Sequence, residues 1–507
     1  VPQKLLQHLP NMPEKLMVTG IILAEFARFL AMNYLESLAY IESLSPTLER
    51  PSLARITAFM TDLGNQQNRY PAFHIGGTNG KGSTAAVLDA LLQQAGLSVG
   101  RFTGPHLLHW NERFHHNGAP VTDTEFADLA SRVRQLSREF GERQPELGPL
   151  TWFEFLTVMA FIWFDEKHVD VAVFEVGLGG RFDATNILAN VLSSAVTNVD
   201  LDHTHILGET VEEIAFEKSG IFKTGIRAVT AAEGPALLQL QKRAETVGSP
   251  FYRCQLPAQL VATECGGTAK SVDDALWQSL SAGFQQACGA LNLLGSHQRL
   301  NALVAVSSLY LAALKSEFWG EILRDRLLAT DGGETSGLER AFSSVYWPGR
   351  LQIVSSLNLV LDGAHNPAGA QILRQALDEI FPEQKLIFVI SCFANKNADS
   401  MLSALLRSGD TVFISEAATR RPTCSKEELA AIAKELGAQP QMFHSIAQSV
   451  DAAMQSRQPG QPIVATGSFA TVRETMSFIG WQSVEDGCGE CVKISDGVST
   501  GNAVRRG

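Results

Sequence analysis

From Phe73 onward, short apolar runs alternate with stretches of helical character, and this pattern limits the available folds more than any other feature. "PAFHIGG" reads as a strand entering a loop, and "STAAVLDALLQQAG" as the helix leaving it, with Gly96 as its stop. "VDVAVFEVG" and "SSAVTNVD" read as buried strands, and "HQRLNALVAVSSLYLAALK" as a further helix. Strands alternating with helices build a parallel sheet covered by helices. The polar stretch "ATDGGETSG" (329–337) interrupts the pattern, which resumes with "LNLVLDG", "KLIFVIS", "DTVFISE" and "QPIVATG". A chain of 507 residues exceeds one ordinary core, so the expected fold class is α/β in two domains. The larger, with a mostly parallel sheet, spans 32–340, and a smaller Rossmann-like domain spans 341–480. Residues 227–291 read as less regular, with the Gly/Ser-rich stretch 265–272 as a loop. "MNYLESLAYIESLSP" from Met32 reads as an amphipathic helix, leaving 1–31 as an extension. Residues 481–507 lack periodicity and read as a flexible tail.

The net charge of -12 argues against a protein that coats nucleic acid. Seven scattered cysteines suit a reducing compartment better than a disulfide framework. Cys488 and Cys491 form one C-x-x-C pair; without a second pair at ligand spacing, two free thiols are the simpler reading than zinc. The apolar run 17–31 contains Glu25 and Arg28, is shorter than a membrane span, and precedes no clear cleavage site. A cytoplasmic protein with no membrane or nucleic-acid partner is expected.

Ligands of open α/β sheets sit beyond the carboxyl ends of strands. The polar residues there are Thr78–Ser83, Glu175, Asn198–His203, Asp362–Asn366 and Asn395–Lys396. The stretch "GGTNGKGS" (76–83) departs from the usual phosphate-loop spacing, because Gly82 separates Lys81 from Ser83. Its glycines would let backbone N–H groups crowd a phosphate at a helix N-terminus, with Lys81 on the outer phosphates. The alternative is a tight turn with a solvated lysine. Glu175 could be a Mg²⁺ ligand or a salt-bridge partner, and His203 a ligand or a structural histidine. Lys218 falls on the apolar face of "VEEIAFEK" with Val211, Ile214 and Ala215. It must snorkel or lose its charge by burial, and a neutral amine can react with carbon dioxide to form a carbamate.

Nine segments in order resemble the folylpolyglutamate synthase/dihydrofolate synthase family of the Mur-ligase superfamily. They are "GTNGKGS", "PHLLHWNERF", "TWFEFLT", "EVGLGGRFDATN", "LDHTHILGETVEEIAFEKSGIF", "LLGSHQRLNA", "WPGRLQ", "DGAHNP" and "GSF". The family's phosphate loop carries the extra glycine. The resemblance implies a P-loop-type ATPase domain and ATP-dependent amide synthesis through an acyl phosphate, with L-glutamate as amine and dihydropteroate, tetrahydrofolate or both as acceptor. A bifunctional bacterial type and a monomer are expected. The resemblance also implies that Thr78, Asn79, Gly80, Lys81, Gly82, Ser83, Asn301, Arg350 and Asp362 bind ATP. It makes Glu175, His203 and an N6-carboxylated Lys218 ligands of Mg²⁺, two ions in all. Thr151, Trp152, Phe153, Glu154, Phe182, Asp183 and Ala184 fall at the pterin-substrate site, and His365 joins Lys81 and Lys218 as a candidate catalytic residue.

One departure stands out. Where the family reads T-S-P-H, this chain has "TGPH" (103–106), and Gly104 replaces a magnesium-ligating serine. Water, Thr103 or Ser83 would have to fill that place. The rival readings are a cell-wall Mur-type peptide ligase and an ATP-binding regulatory protein that has lost ligation. "RFDATN" with "GSHQRLNA" favours the folate branch over the first, and Gly104 alone supports the second.

Overall fold

The computed structural model describes residues 31–45, 52–263, 269–330 and 335–483. The expectations for residues 1–30, the Cys488/Cys491 pair and the tail beyond 483 lie outside the described residues. The first domain carries strands β1 (Ala72–Gly76), β2 (Val99–Phe102), β3 (Phe114–His116), β4 (Ala119–Pro120), β5 (Val171–Glu175), β6 (Val191–Val196), β7 (Arg227–Thr230), β8 (Phe251–Gln255), β9 (Gln259–Thr263) and β10 (Ala269–Ser271). The second carries β11 (Gln352–Val354), β12 (Leu359–Leu361), β13 (Ile387–Ile390), β14 (Thr411–Ile414), β15 (Gln439–Met442) and β16 (Ile463–Thr466).

Among the described residues these strands form two sheets, ordered β10-β9-β8-β7-β6-β1-β5-β2-β3-β4 and β11-β12-β16-β13-β14-β15. From β8 to β2 the first sheet is parallel, with antiparallel edges at both ends. The second is parallel except for β11. The central strands are buried on both faces, so β5 "VAVFE" reads as a continuous apolar run rather than an alternating one. One face of the first sheet packs on helices Lys81–Gln94, Ser296–Ala313 and Ala275–Ala287, the other on helices Asp123–Arg143 and Trp152–Glu166.

Helix Lys81–Gln94 ends as Gly96 implied. Gly96 has φ 84°, its N–H donates to Gln93 O, and Leu97 N–H donates to Leu92 O. This is a Schellman cap. Two expectations need correction. The described residues of 227–291 are regular, comprising β7 to β10 and two helices; of the expected loop 265–272, residues 269–271 pair with β9, and 265–268 lie outside the described residues. The packing also changes later than 329–337. Leu338, Ala341, Phe342 and Val345 belong to the first domain's core, so the crossing runs through Tyr346–Arg350. No helix among the described residues is long and apolar enough to cross a membrane.

Candidate active site

The loop after β1 is held open by its glycines. Gly77 has φ 139° and Gly80 φ 84°; a Cβ on Gly77 would stand 1.9 Å from Thr197 Oγ1, and one on Gly80 2.2 Å from Asn301 Oδ1. Gly82 has an equally direct cause, since a Cβ there would stand 2.5 Å from the Trp347 ring. Neighbouring strand ends pin the loop. Thr78 N–H donates to Asn198 O at 2.9 Å, Asn79 N–H to Asn198 Oδ1 at 2.8 Å, and Thr197 Oγ1–H to Asn79 O at 2.6 Å.

Two lysines meet at this loop. Lys81 Nζ donates to Gly77 O and Thr78 O at 3.1 and 3.2 Å, and Lys218 Nζ donates to the same Gly77 O at 2.9 Å. Lys218 ends helix Val211–Lys218, with Ile214 and Ala215 buried beside it, so its expected face is its observed one. Burial and the Lys81 charge lower its pKa to about 7, against a smaller upward pull from Asp202. The Lys81 ammonium at a helix N-terminus makes a site for an anion, and the Lys218 amine shares its carbonyl.

Glu175 ends β5, buried, with Oε1 4.0 Å from Lys81 Nζ and Oε2 accepting from Gly104 N–H at 3.1 Å. Burial raises its pKa; Lys81, the Gly104 N–H, Arg350 and Arg113 work against that rise. His203 has φ 51° and lies 3.9 Å from Asp202. Burial lowers its pKa to about 4, opposed by Asp202 and assisted by Lys396, Lys81 and Lys218. Among the described residues no three His, Cys, Asp or Glu side chains are grouped to hold a metal. A magnesium site here would therefore rest on Glu175 together with nucleotide oxygens and water, which is the ion's usual mode.

The second domain closes the site. Arg350 lies over Phe469 at 4.5 Å, and its charge acts on both Asp362 and Glu175. Asp362 spends its oxygens on the Leu351 and Ala364 N–H groups, both at 2.8 Å. It therefore shapes the turns that present Arg350 and His365. His365 Nδ1–H donates to Gly363 O at 2.8 Å, and Nε2 lies 3.7 Å from Asp202 Oδ2. Burial and Lys396 lower its pKa to about 4, opposed by Asp202. Asp202, inside the strand-end stretch Asn198–His203 but given no role of its own from sequence, is a junction: Lys396 Nζ donates to it, as does Asn366 Nδ2 at 3.2 Å, and Asn366 also bonds Asn79. Burial raises the Asp202 pKa, but His203, His365 and Lys396 together hold it well below the usual carboxylate range. Its position in "DLDH", at a strand end, was the available signal.

The residues expected to touch the acceptor divide in two. Trp152 lies edge-on to Trp110 and beneath the Arg113 guanidinium. Phe153 abuts Gly177, where a Cβ would stand 2.4 Å from its ring, and Phe182 is 40% exposed under Arg181. Trp152 and Phe153 are half-buried and Phe182 is exposed, so each keeps free surface. The others are engaged in the walls. Glu154 accepts from Thr151 N–H and Oγ1–H and pairs with Arg55 at 3.1 Å. Asp183 accepts from the N–H groups of Gly177, Leu178 and Thr185, and Ala184 is packed in the core.

Gly104 also has a distinctive neighbour. A Cβ on it would stand 2.6 Å from Arg113 Nη1, so the guanidinium takes the volume that a side chain at 104 would need.

Residues 349–469 match the family model described as Mur ligase, glutamate ligase domain. The chain is 36% identical to the dihydrofolate synthase/folylpolyglutamate synthase of Bacillus subtilis over 70% of this chain and 79% of that protein. It is 30% identical to the folylpolyglutamate synthase of Lacticaseibacillus casei over 88% of this chain and 99% of the relative. The structure of Mycobacterium tuberculosis folylpolyglutamate synthase complexed with ADP superposes with a TM-score of 0.71 at 28% identity, covering 88% of this chain and 98% of that one.

Proposed function

Because the chain belongs to the dihydrofolate synthase/folylpolyglutamate synthase family of ATP-dependent ligases, we propose that it joins the α-amine of L-glutamate to the carboxylate of a pteroate or folate. The observation that carries this reading is the meeting of Lys81 and Lys218 on Gly77 O, with Arg350 brought to Glu175 from the other domain. Such a crevice suits the phosphates of ATP. An acceptor carboxylate oxygen attacks the γ-phosphorus, and the bond from that phosphorus to ADP breaks, leaving an acyl phosphate. The glutamate nitrogen then attacks the acyl carbon; the bond to phosphate breaks, phosphate leaves, and the amine gives up its proton.

The loop Thr78–Ser83 would cradle the phosphates with its N–H groups, and Lys81 and Arg350 would meet the charge that develops on the transferring group. Asn301 and Asp362 would shape the nucleotide's place. Neutral His365, with Nδ1–H fixed on Gly363 O, leaves Nε2 as a hydrogen-bond acceptor for the amine's N–H. Trp152, Phe153 and Phe182 would flank the pterin, while Thr151, Glu154, Asp183 and Ala184 hold the walls. Magnesium, when bound, would neutralise phosphate charge. Glu175 and His203 would hold it, with a carboxylated Lys218 as a ligand of a second ion. With a pKa near 7, Lys218 is partly a neutral amine at neutral pH, the form that adds to carbon dioxide while its proton leaves to solvent. A cytoplasmic monomer completes the proposal; Cys254, Cys288, Cys392 and Cys424 are free thiols, as a reducing compartment would keep them.

The test is ADP release with dihydropteroate or tetrahydrofolate supplied in turn, with and without L-glutamate. Turnover that requires both glutamate and one or both acceptors is expected. ADP release indifferent to acceptor and glutamate would overturn the reading.

A further inference from the structure

We propose that the Thr103 side-chain hydroxyl is a ligand-binding group of the phosphate end of the site, placed to hold a divalent cation directly or through a water of its shell. The proposal rests on the ligase reading for the identity of the nucleotide that accompanies the cation. Thr103 directly follows β2, which pairs in parallel with β5 in the register Phe102↔Phe174. The next positions along the two strands are Thr103 and Glu175, so the pair sits side by side. They also share a face. Val99, Val171 and Val173 pack in the cluster against helix Lys81–Gln94, and Arg101 pairs with Asp89 of that helix at 3.1 Å. Alternation along a strand then sends Thr103 and Glu175 to this same side, while Phe102 and Phe174 face the other.

The Thr103 hydroxyl is deeply buried, the residue being 3% exposed, and it has no hydrogen-bond partner among the described residues. Buried hydroxyls are nearly always partnered, and an orphan costs the fold its full desolvation penalty. The backbone does not explain it, because Thr103 N–H is already spent on Arg113 O at 3.0 Å. What lies beside it is the polar end of the site: Glu175 Oε2 accepts from the adjoining Gly104 N–H, and Oε1 lies 4.0 Å from Lys81 Nζ. Residue 104 offers no side chain, and Arg113 takes the volume one would occupy. The side-chain oxygen that this turn can offer is therefore that of Thr103. A hydroxyl beside a carboxylate is suitable oxygen chemistry for a hard divalent cation.

The test titrates Mn²⁺ into the full chain at saturating ADP, following free Mn²⁺ by electron paramagnetic resonance. Wild type is compared with Thr103→Val, Thr103→Ala and Thr103→Ser, and each variant is also melted without ligand. Val and Ala should weaken Mn²⁺ binding about 10-fold or more, the usual loss when a supporting group at a metal site is removed. Thr103→Ser should bind as wild type does. Unliganded Thr103→Val should melt no lower than wild type, since the hydroxyl it loses bonds nothing among the described residues. Equal Mn²⁺ affinity in wild type and Thr103→Val would overturn this proposal alone. So would failure of both Val and Ala to fold while Ser folds, which would make the hydroxyl structural. Wild type that takes up no Mn²⁺ with ADP would overturn the ligase reading as well.

Discussion

Gly82 shows how one residue sets the shape of the phosphate loop: the Trp347 indole stands where its Cβ would be, and the Arg101 guanidinium lies over the same ring at 5.1 Å. Gly82→Ala must displace either the loop or the ring. It should weaken ADP binding in a calorimetric titration, and unchanged affinity would show that the ring yields freely. Lys81→Ala removes one fixed positive charge at the transferring phosphoryl group, a type of loss that costs about 10²–10³ in turnover. Near-normal turnover at saturating ATP would refute its role. Lys223, away from the phosphates, gives a prediction about stability. Burial lowers its pKa to about 8, while its ammonium donates to Asn186 O at 3.0 Å. Between pH 8 and the ordinary value of 10.5 the folded chain has lost a proton that the unfolded chain keeps, so stability should rise with pH across that window. Denaturant unfolding of Lys223→Met should show that slope reduced; an identical slope would mean other groups set it.

At the scale of elements, the capped helix Trp152–Glu166 converts a sequence motif into a wall of the site. Thr151 and Glu154 cap it reciprocally, and Glu154 also neutralises the buried Arg55. Glu154→Ala loses the cap and strands Arg55, a change expected to cost roughly 3–5 kcal/mol in unfolding free energy. A stable variant with only a raised KM for the acceptor would instead make Glu154 a direct contact. The strands that were legible in the sequence are those buried on both faces, such as "VAVFE" and "LIFVIS", because a short, nearly continuous apolar run has few other homes. Edge strands left no such trace. β15 is "QPQM", mostly exposed and carrying a proline, and β10 is "AKS", exposed throughout. Their pairing comes from the neighbouring strand rather than from their own composition.

For the whole molecule, the decisive arrangement is the crossing of two domains at Asp202. Lys396, 194 residues away in sequence, donates to it, and Asn366 joins Asp202 to Asn79 of the phosphate loop. No local pattern could reveal that pairing, whereas the loop and Lys218 were legible because glycine spacing and helical periodicity are local. Glu154 and Asp183 were legible as important, but not as occupied: their hydrogen-bond partners appear only once the chain is folded. Lys396→Met should leave each domain folded yet lower turnover, because the closing contact is lost; an unchanged kcat and KM for ATP would place Lys396 outside the working cycle. The central claim, that the site makes an amide through an acyl phosphate, has one direct test. The acceptor's carboxylate is labelled with ¹⁸O, ATP and L-glutamate are supplied, and the released phosphate is analysed by mass. The account predicts one ¹⁸O atom in each phosphate formed, carried over from the carboxylate, whereas unlabelled phosphate would mean that water takes the phosphoryl group and would contradict it.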